Sequence, residues 1–146
     1  MQVRDAMTRD VAIVNVEETL QQAARMMVGM DAGILPVAGD GRLVGMLSDR
    51  DIAVRGIATG KGPDTKVREV MSSEVMYCFD DQDLDHIAKS MGEARVRRLP
   101  VIERESMNLV GILSLSDIAL KHAPGAAGDA LARLSEHGGP HSQTKA

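Results

Sequence analysis

The sequence predicts an α+β fold in which two β-α-β-β-α units pack about a pseudo-twofold axis into one compact module. Three observations predict it: an internal repeat, an amphipathic helix followed by two short apolar runs in each copy, and a globular composition with 44% hydrophobic and 26% charged residues. A copy of about 60 residues buries little core alone. We therefore expect the two copies within this 146-residue chain to share one core.

The repeat becomes visible when the sequence is shifted by 64 residues, which superposes Leu35–Val37 on the identical Leu99–Val101. After two extra residues in the second copy the shift becomes 66, and a second block aligns. Its central pairs are Gly45 with Gly111, Ser48 with Ser114, and Asp51 with Asp117. Eighteen ordered identities indicate duplication of one unit. The predicted division is 1–59 for the first unit, 60–65 for the linker, 66–122 for the second unit and 123–146 for a flexible C-terminal tail, within which the only helix considered is a short one around Asp129–Ser135.

Each unit is predicted to contain the same elements in the same order. Opening strands are expected near Val11–Val16 and Val75–Phe79. A helix follows in each copy, capped by Thr19 in the first and by Asp83 in the second, and Thr19 and Gln22 have the spacing of a capping box. Two apolar runs joined by "GDGR" or "ERESMN" then predict a β-hairpin, and a closing helix ends the unit.

Each unit also carries the motif Gly-x-x-Ser-x-x-Asp, as "GMLSDRD" from Gly45 and "GILSLSD" from Gly111. Two such motifs in register, each behind a strand with Leu-Pro-Val, resemble the cystathionine β-synthase (CBS) domain pair, or Bateman module, over about Val3 to His122. The resemblance implies two CBS units with paired sheets, and a homodimer of modules forming a flat disc. It implies that adenosine-containing ligands bind in clefts between the paired units. The chain is similar to stand-alone bacterial members, so its effector protein would be a separate, unknown molecule.

The motif serine and aspartate have two interpretations. Ser48 and Asp51 have the spacing of a capping box, which needs no ligand. A strand leading into a helix N-terminus also favours phosphate, and an aspartate there is able to accept hydrogen bonds from both hydroxyls of a ribose. Gly45 and Gly111 would let the strand approach a ligand or the neighbouring unit closely. The residues alone leave the choice open, and the resemblance favours the ligand.

The two copies differ in charge around the motif. The second copy has Arg97 and Arg98 before its Leu-Pro, where the first has Gly33 and Ile34. In nucleotide-binding family members, basic residues at these positions often face phosphates, so the resemblance makes both arginines candidates. The alternatives are solvated arginines or an ion pair with the acidic segment 80–83. We expect the second copy to prefer the more phosphorylated ligand.

Further basic residues lie inside or just after the motifs. The first copy has Arg50 where the second has Ser116, and Arg55 and Lys121 follow one turn later in the closing helices. Each is able to reach a phosphate or to remain solvated.

The adenine is expected to lie against the opening segment of the same unit. The candidates are Thr8, Asp10 and Val11 in the first copy, and Ser72, Glu74 and Val75 in the second. For the two valines, ordinary core packing explains the sequence equally well.

Composition and motifs argue against several other classes of function. A net charge of -4 without a basic run argues against nucleic acid, and the lack of about 20 consecutive apolar residues argues against a membrane span, so we expect a cytoplasmic protein. Cys78 lies in an apolar run and is expected to be a buried structural thiol, and His86 lies on the polar side of a helix. His137 and His141 are separated by "GGP", which excludes a regular helix presenting both to one metal. We predict no catalytic residues, no metal site and no covalent cofactor.

The predicted function is regulation without catalysis. The resemblance implies energy sensing through an adenine nucleotide (AMP, ADP or ATP), S-adenosylmethionine or NAD(H), with ligand binding signalled to the effector. Two alternatives remain: a ligand-free structural dimer whose motifs only cap helices, and a small enzyme acting on a bound nucleotide.

Overall fold

The structure, a computed structural model, describes residues 1–135. Its contacts divide the chain into two compact units. Residues Ala12–Val75 form the first, here called the continuous unit. Residues Met1–Val11 and the described residues from Met76 to Ser135 form the second, here called the split unit. In chain order the elements are α1 (Val3–Ala6), β1 (Val14–Asn15), α2 (Leu20–Met30), β2 (Ile34–Gly39), β3 (Arg42–Ser48), α3 (Asp49–Asp51), β4 (Cys78–Phe79), α4 (Leu84–Ala94), β5 (Arg98–Ile102), β6 (Leu109–Ser114), α5 (Leu115–Lys121) and α6 (Pro124–Leu134).

The continuous unit contains one three-stranded sheet in the order β1-β2-β3. Strand β1 pairs parallel with β2, and β2 pairs antiparallel with β3. The hairpin turns at Asp40 and Gly41, both with positive φ (51° and 76°), which matches the twist of a two-residue hairpin. Thr19 caps α2 through a complete capping box with Gln22, as the sequence predicts. The apolar face of α2 and one face of the sheet enclose this unit's core, whose buried residues are Val14, Leu20, Ala23, Met27, Leu35, Val37, Leu47, Val67 and Val70.

The closing helix of the continuous unit is irregular. After the single α-helical turn of α3, the chain continues as a π-helix over Ile52–Gly56 and a 3-10 helix over Ile57–Thr59. Gly56 packs closely on α2, because a Cβ added there would lie 3.1 Å from Leu20 Cδ1. Gly60, with a φ of 85°, ends the segment.

The split unit repeats this architecture with a sheet in the order β4-β5-β6. Strand β4 pairs parallel with β5, and β5 pairs antiparallel with β6. Asp83 caps α4 as predicted, its carboxylate accepting from the His86 amide at 3.1 Å. The two extra residues of the second copy fall in the 103–108 loop between β5 and β6, where length is easily accommodated. The fold class expected from the sequence, α+β with two three-stranded units, is confirmed.

The opening segments do not join the copies to which the sequence repeat assigns them. Residues 1–11, placed by the repeat in the first unit, belong to the split unit with the second copy, and residues 66–75 belong to the continuous unit with the first. Val3 and its repeat equivalent Val67 show the exchange: the Val3 amide donates to Gln82 O at 2.9 Å, and the Val67 amide donates to Glu18 O at 2.8 Å.

Side-chain charges follow the same exchange. Glu17 pairs with Lys66 and Arg68, and the hydrogen bond from Lys66 is the main reason that the pKa of Glu17 lies below its usual value. In the split unit Arg4 pairs with Asp80 at 3.5 Å. Each opening segment is therefore held by backbone and ionic contacts within its own compact unit.

The segment expected to be a flexible tail begins with a helix that starts earlier and is longer than the short one considered around Asp129–Ser135. Helix α6 spans Pro124–Leu134 and packs on α4 and α5, with Ala127 and Ala130 buried. Gly92 in α4 makes room for it, because a Cβ there would lie 3.0 Å from Ala130 Cα. The Gly and Pro content that suggested a tail is compatible with a helix here, because Pro124 occupies a first-turn position and small residues allow close packing. The remainder of the predicted tail, with His137 and His141, lies outside the described residues.

Candidate functional site

The two strand-to-helix corners form complete capping boxes, one in each unit. The Ser48 amide donates to Asp51 Oδ2 at 2.9 Å, and the Asp51 amide donates to Ser48 Oγ at 3.0 Å. At the other corner, Ser114 and Asp117 make the same two bonds, both at 3.0 Å. The predicted caps are confirmed. They use one carboxylate oxygen of each aspartate, Oδ2, and leave Oδ1 for other partners.

In the continuous unit, Oδ1 of Asp51 accepts from a cation that also donates to a hydroxyl. Arg55, one turn later, donates from Nη2 to Asp51 Oδ1 at 2.7 Å and to Ser72 Oγ at 2.8 Å. The side chain of Asp51 is 18% exposed and that of Arg55 is 47% exposed. A guanidinium thus joins the corner to the opening segment 66–75.

In the split unit, the equivalent groups converge with looser contacts. Thr8 Oγ1 lies 3.5 Å from Asp117 Oδ1, and Lys121 Nζ lies 3.8 Å from the same oxygen. Lys121 instead donates to the backbone carbonyl of Ala6 at 3.0 Å. A carboxylate, a hydroxyl and a cation therefore meet at repeat-equivalent positions in both units.

The motif glycines allow the opening segments to approach. Ser72 pairs with Met46 through two backbone bonds of 2.9 Å, and a Cβ on Gly45 would lie 2.7 Å from Ser72 O. Thr8 pairs with Ile112 in the same way, at 2.8 and 2.9 Å, and a Cβ on Gly111 would lie 2.8 Å from Thr8 O. The close approach expected of both glycines is found, and the neighbour is an opening segment.

The assignment of Thr8 and Ser72 to their own copies was wrong. Thr8 lies beside Asp117 of the second copy, and Ser72 lies beside Asp51 and Arg55 of the first. The cause is the exchange of opening segments. Because the two segments share Val, Arg and Met at the same positions, the repeat alone gives no signal of which sheet each segment joins.

The remaining opening-segment candidates are not brought to Oδ1 of either aspartate by any described contact. Asp10 is exposed and has a φ of 57°, in the left-handed region, and Glu74 is exposed. Val11 and Val75 are half-buried and lie outside both buried cores. The alternative interpretation, that these two valines are ordinary core residues, is therefore wrong.

Arg97 and Arg98 are exposed at the entrance of β5, where Arg98 is in register with Ser114. In the described part of the chain neither arginine forms the alternative ion pair with the acidic segment 80–83, where Asp80 pairs with Arg4 and Asp81 pairs with Arg104 at 2.9 Å. The bond from Arg104 also lowers the pKa of Asp81.

The repeat equivalent of Arg97 is Gly33, whose carbonyl accepts from the Asp49 amide at 2.9 Å, as Arg97 O does from Leu115 at 3.0 Å. The two corners thus share a backbone and differ in charge. Arg50, also a candidate, has an exposed side chain.

Cys78 has the properties of a structural thiol. It is 2% exposed, and burial, with a smaller contribution from Asp80, raises its pKa to about 12. A thiol with that pKa holds almost no thiolate at neutral pH, so it is a poor nucleophile. His122, which the sequence reasoning did not consider, lies 2.8 Å from Asp85. Over residues 1–135, no group of three or more His, Cys, Asp and Glu side chains is placed to hold a metal ion.

None of the helices in the described part of the chain is long and apolar enough to cross a membrane.

A family model described as "CBS domain" matches the chain twice, over residues 3–55 and 67–122. Together these segments cover most of the chain and include both corners.

Full-length relatives of similar size exist in bacteria. The CBS domain-containing protein YhcV of Bacillus subtilis is 40% identical over 134 residues, 91% of this chain and 94% of that protein. Hypoxic response protein 1 of Mycobacterium tuberculosis is 41% identical over 123 residues, 83% of this chain and 84% of that protein.

Solved structures match the fold. The crystal structure of Hypoxic Response Protein I, described with two coordinated zinc ions, has a TM-score of 0.74 and 39% identity, and covers 82% of this chain and 98% of that one. A CBS domain pair crystallised with 5′-methylthioadenosine and S-adenosyl-L-methionine has a TM-score of 0.72 and 25% identity, and covers 82% of this chain and 98% of that one.

Proposed function

Since the chain belongs to the CBS domain family, we propose that each corner binds the ribose of an adenosine-containing ligand and that the chain is a regulatory module without catalytic activity. Candidate ligands are AMP, ADP or ATP, S-adenosylmethionine and NAD(H). Binding changes the conformation that a separate effector protein recognises.

One observation carries the proposal: the convergence of carboxylate, hydroxyl and cation on the Oδ1 side of both motif aspartates. Helix capping accounts for Oδ2 and the serine. It does not require a hydroxyl from an opening segment or a cation one turn later. A carboxylate oxygen accepts hydrogen bonds from a ribose diol, and a nearby cation suits a phosphate.

The relatives support the ligand class. A structure of similar fold is a CBS domain pair in complex with two adenosine-containing compounds, which are ligands of that protein. The homodimer, the effector and the cytoplasmic location expected from the sequence stay predictions. For Arg50, Arg97, Arg98, Asp10, Val11 and Val75, a part in binding stays a prediction as well.

The competing function is a ligand-free interaction protein whose motifs only cap helices. Titration calorimetry of the purified protein with AMP, ATP, S-adenosylmethionine, 5′-methylthioadenosine and NADH separates the two. We expect at least one compound to bind, and the double substitution Asp51→Asn, Asp117→Asn to weaken it by about tenfold or more. Each asparagine still accepts the bond from the Ser48 or Ser114 amide through its side-chain oxygen, but places an NH2 group where the other carboxylate oxygen stood.

The control is Asp83→Asn, which changes an aspartate at the start of α4, where it caps the helix by accepting from the His86 amide and lies outside both corners. It should leave binding unchanged. A folded protein that binds none of the five compounds would rule out the sensor function and favour the interaction protein. Turnover of a bound compound would instead indicate an enzyme.

A further inference from the structure

We propose that Arg55 determines the ligand specificity of the continuous unit. Its bond to Asp51 prevents uncharged nucleosides from binding to the carboxylate, and an anionic group on a nucleotide breaks that bond by attracting the guanidinium. This inference rests on the proposed function, because it concerns the ligand of the same corner.

The geometry shows how Arg55 blocks the corner. One nitrogen, Nη2, donates to both Asp51 Oδ1 and Ser72 Oγ, at 2.7 and 2.8 Å. It therefore occupies the position from which a ligand hydroxyl would donate to the carboxylate and accept from the serine. The other carboxylate oxygen is already bonded to the Ser48 amide. A ribose diol reaches Oδ1 only when the guanidinium has moved away.

The split unit lacks this block. Lys121, at the position equivalent to Arg55, gives its short hydrogen bond to Ala6 O at 3.0 Å and stays 3.8 Å from Asp117 Oδ1. Thr8 Oγ1 is 3.5 Å from that oxygen, at the outer limit of a hydrogen bond. Within residues 1–135, a diol meets no cation within hydrogen-bond distance of Asp117 Oδ1, so this carboxylate is open to charged and uncharged ligands alike. The expectation from Arg97 and Arg98, that the second copy is the one that prefers the more phosphorylated ligand, is thus reversed.

The chemistry of guanidinium explains why an anionic ligand removes the block. The Arg55 side chain is 47% exposed, and exposed ion pairs four residues apart on a helix are weak. Phosphate offers a guanidinium two parallel charge-assisted bonds, which are stronger. The phosphate of a nucleotide thus binds Arg55 and draws it away from Asp51, and the ribose hydroxyls then bind the freed carboxylate. An uncharged nucleoside must displace the cation without compensation.

The test uses Asp117→Asn protein, in which binding reports mainly on the continuous unit. Dissociation constants for AMP and for the uncharged 5′-methylthioadenosine are measured by calorimetry, with and without Arg55→Gln. With Arg55 in place, we expect AMP to bind about tenfold more tightly than 5′-methylthioadenosine. We expect Arg55→Gln to reduce this ratio of dissociation constants by about tenfold or more, because AMP binds more weakly and the uncharged nucleoside binds more tightly.

Two further variants accompany it. Arg25→Gln removes another exposed arginine of the same unit and should leave the ratio of the two dissociation constants unchanged. Arg55→Lys keeps the charge and loses the planar fork, so its ratio should lie between those of wild-type and Arg55→Gln. Circular dichroism confirms that each variant is folded.

The outcomes are distinguishable. If the wild-type chain binds adenosine compounds but Arg55→Gln changes the ratio less than about twofold, this inference is wrong and the proposed function stands. If the wild-type chain binds none of them, the proposed function fails and the inference fails with it.

Discussion

Gly111 shows how a single missing methyl group shapes the corner of the split unit. A Cβ at this position would lie 2.8 Å from both Thr8 O and Met7 Sδ. The contact with a backbone oxygen is the more serious, because Thr8 is held by two backbone bonds to Ile112 and has little freedom to move. Glycine here allows the opening segment to lie against β6 and to bring the Thr8 hydroxyl towards Asp117.

We therefore expect Gly111→Ala to lower the free energy of unfolding by about 2 kcal/mol, because the added methyl forces the opening segment away from the strand. Urea denaturation of wild-type and variant protein measures the difference. Gly29→Ala is the control, since Gly29 lies within α2 with nothing within 4 Å of an added Cβ. It should stabilise the chain by about 0.5–1 kcal/mol. Equal stability of Gly111→Ala and wild-type would show that the close approach is not the reason for glycine.

The residue scale also shows where sequence reasoning succeeds. Ser48 with Asp51, and Thr19 with Gln22, lie three positions apart, and capping depends only on such local spacing. The bond between Arg55 and Ser72 joins residues 17 positions apart. Its formation depends on the path of the opening segment, which no local pattern encodes.

Among the elements, the closing helices depend most visibly on their caps. Helix α5 has only seven residues, Leu115–Lys121, and an isolated helix of that length is not stable in water. Ser114 Oγ accepts from the Asp117 amide, and Asp117 accepts from the Ser114 amide in return. These two bonds satisfy amide groups that otherwise have no partner in the first turn.

Replacing Ser114 by alanine should cost about 1 kcal/mol of unfolding free energy, because the first turn loses its side-chain acceptor. Ser116→Ala serves for comparison: Ser116 is an exposed residue of α5, and alanine there should be neutral or slightly stabilising. Both values come from urea denaturation. Similar losses for the two variants would mean that the capping bond contributes little.

Helix α6 illustrates an element that composition concealed. Its glycines and proline are typical of loops, yet it packs on α4 and α5 through small side chains. The repeat equivalent of Gly92 is Val28, which is 83% exposed on α2. The second copy therefore has a glycine where α6 packs, and the first copy has a solvent-exposed valine at the equivalent position. An alignment of the two copies shows this difference only as a mismatch.

For the whole molecule, the decisive feature is that each compact unit combines the body of one copy with the opening segment of the other. Val3 is fully buried in the core of the split unit, and its equivalent Val67 is fully buried in the core of the continuous unit. The two valines therefore form a matched pair for testing which body each opening segment stabilises.

Each valine-to-alanine change should cost about 2 kcal/mol, from lost burial and the cavity left behind. Hydrogen exchange measured by mass spectrometry should show faster exchange in β5 and β6 for Val3→Ala, and in β2 and β3 for Val67→Ala. The opposite pattern, with Val3→Ala affecting β2 and β3, would contradict the exchange of opening segments.

The sequence by itself determined the duplication, the α+β class, the helix caps, the two hairpins and the two corners, because each depends on residues close together in the chain or on the repeat itself. Only the tertiary structure decided which opening segment meets which corner, that Arg55 bonds to both Asp51 Oδ1 and Ser72 Oγ, and that α6 packs on α4 and α5. The physical reason is that the two opening segments share their apolar pattern, with Val, Arg and Met at equivalent positions, so the pattern alone fits either sheet. The choice between them depends on the path of the connecting chain and on long-range contacts such as those of Glu17 with Lys66 and Arg68.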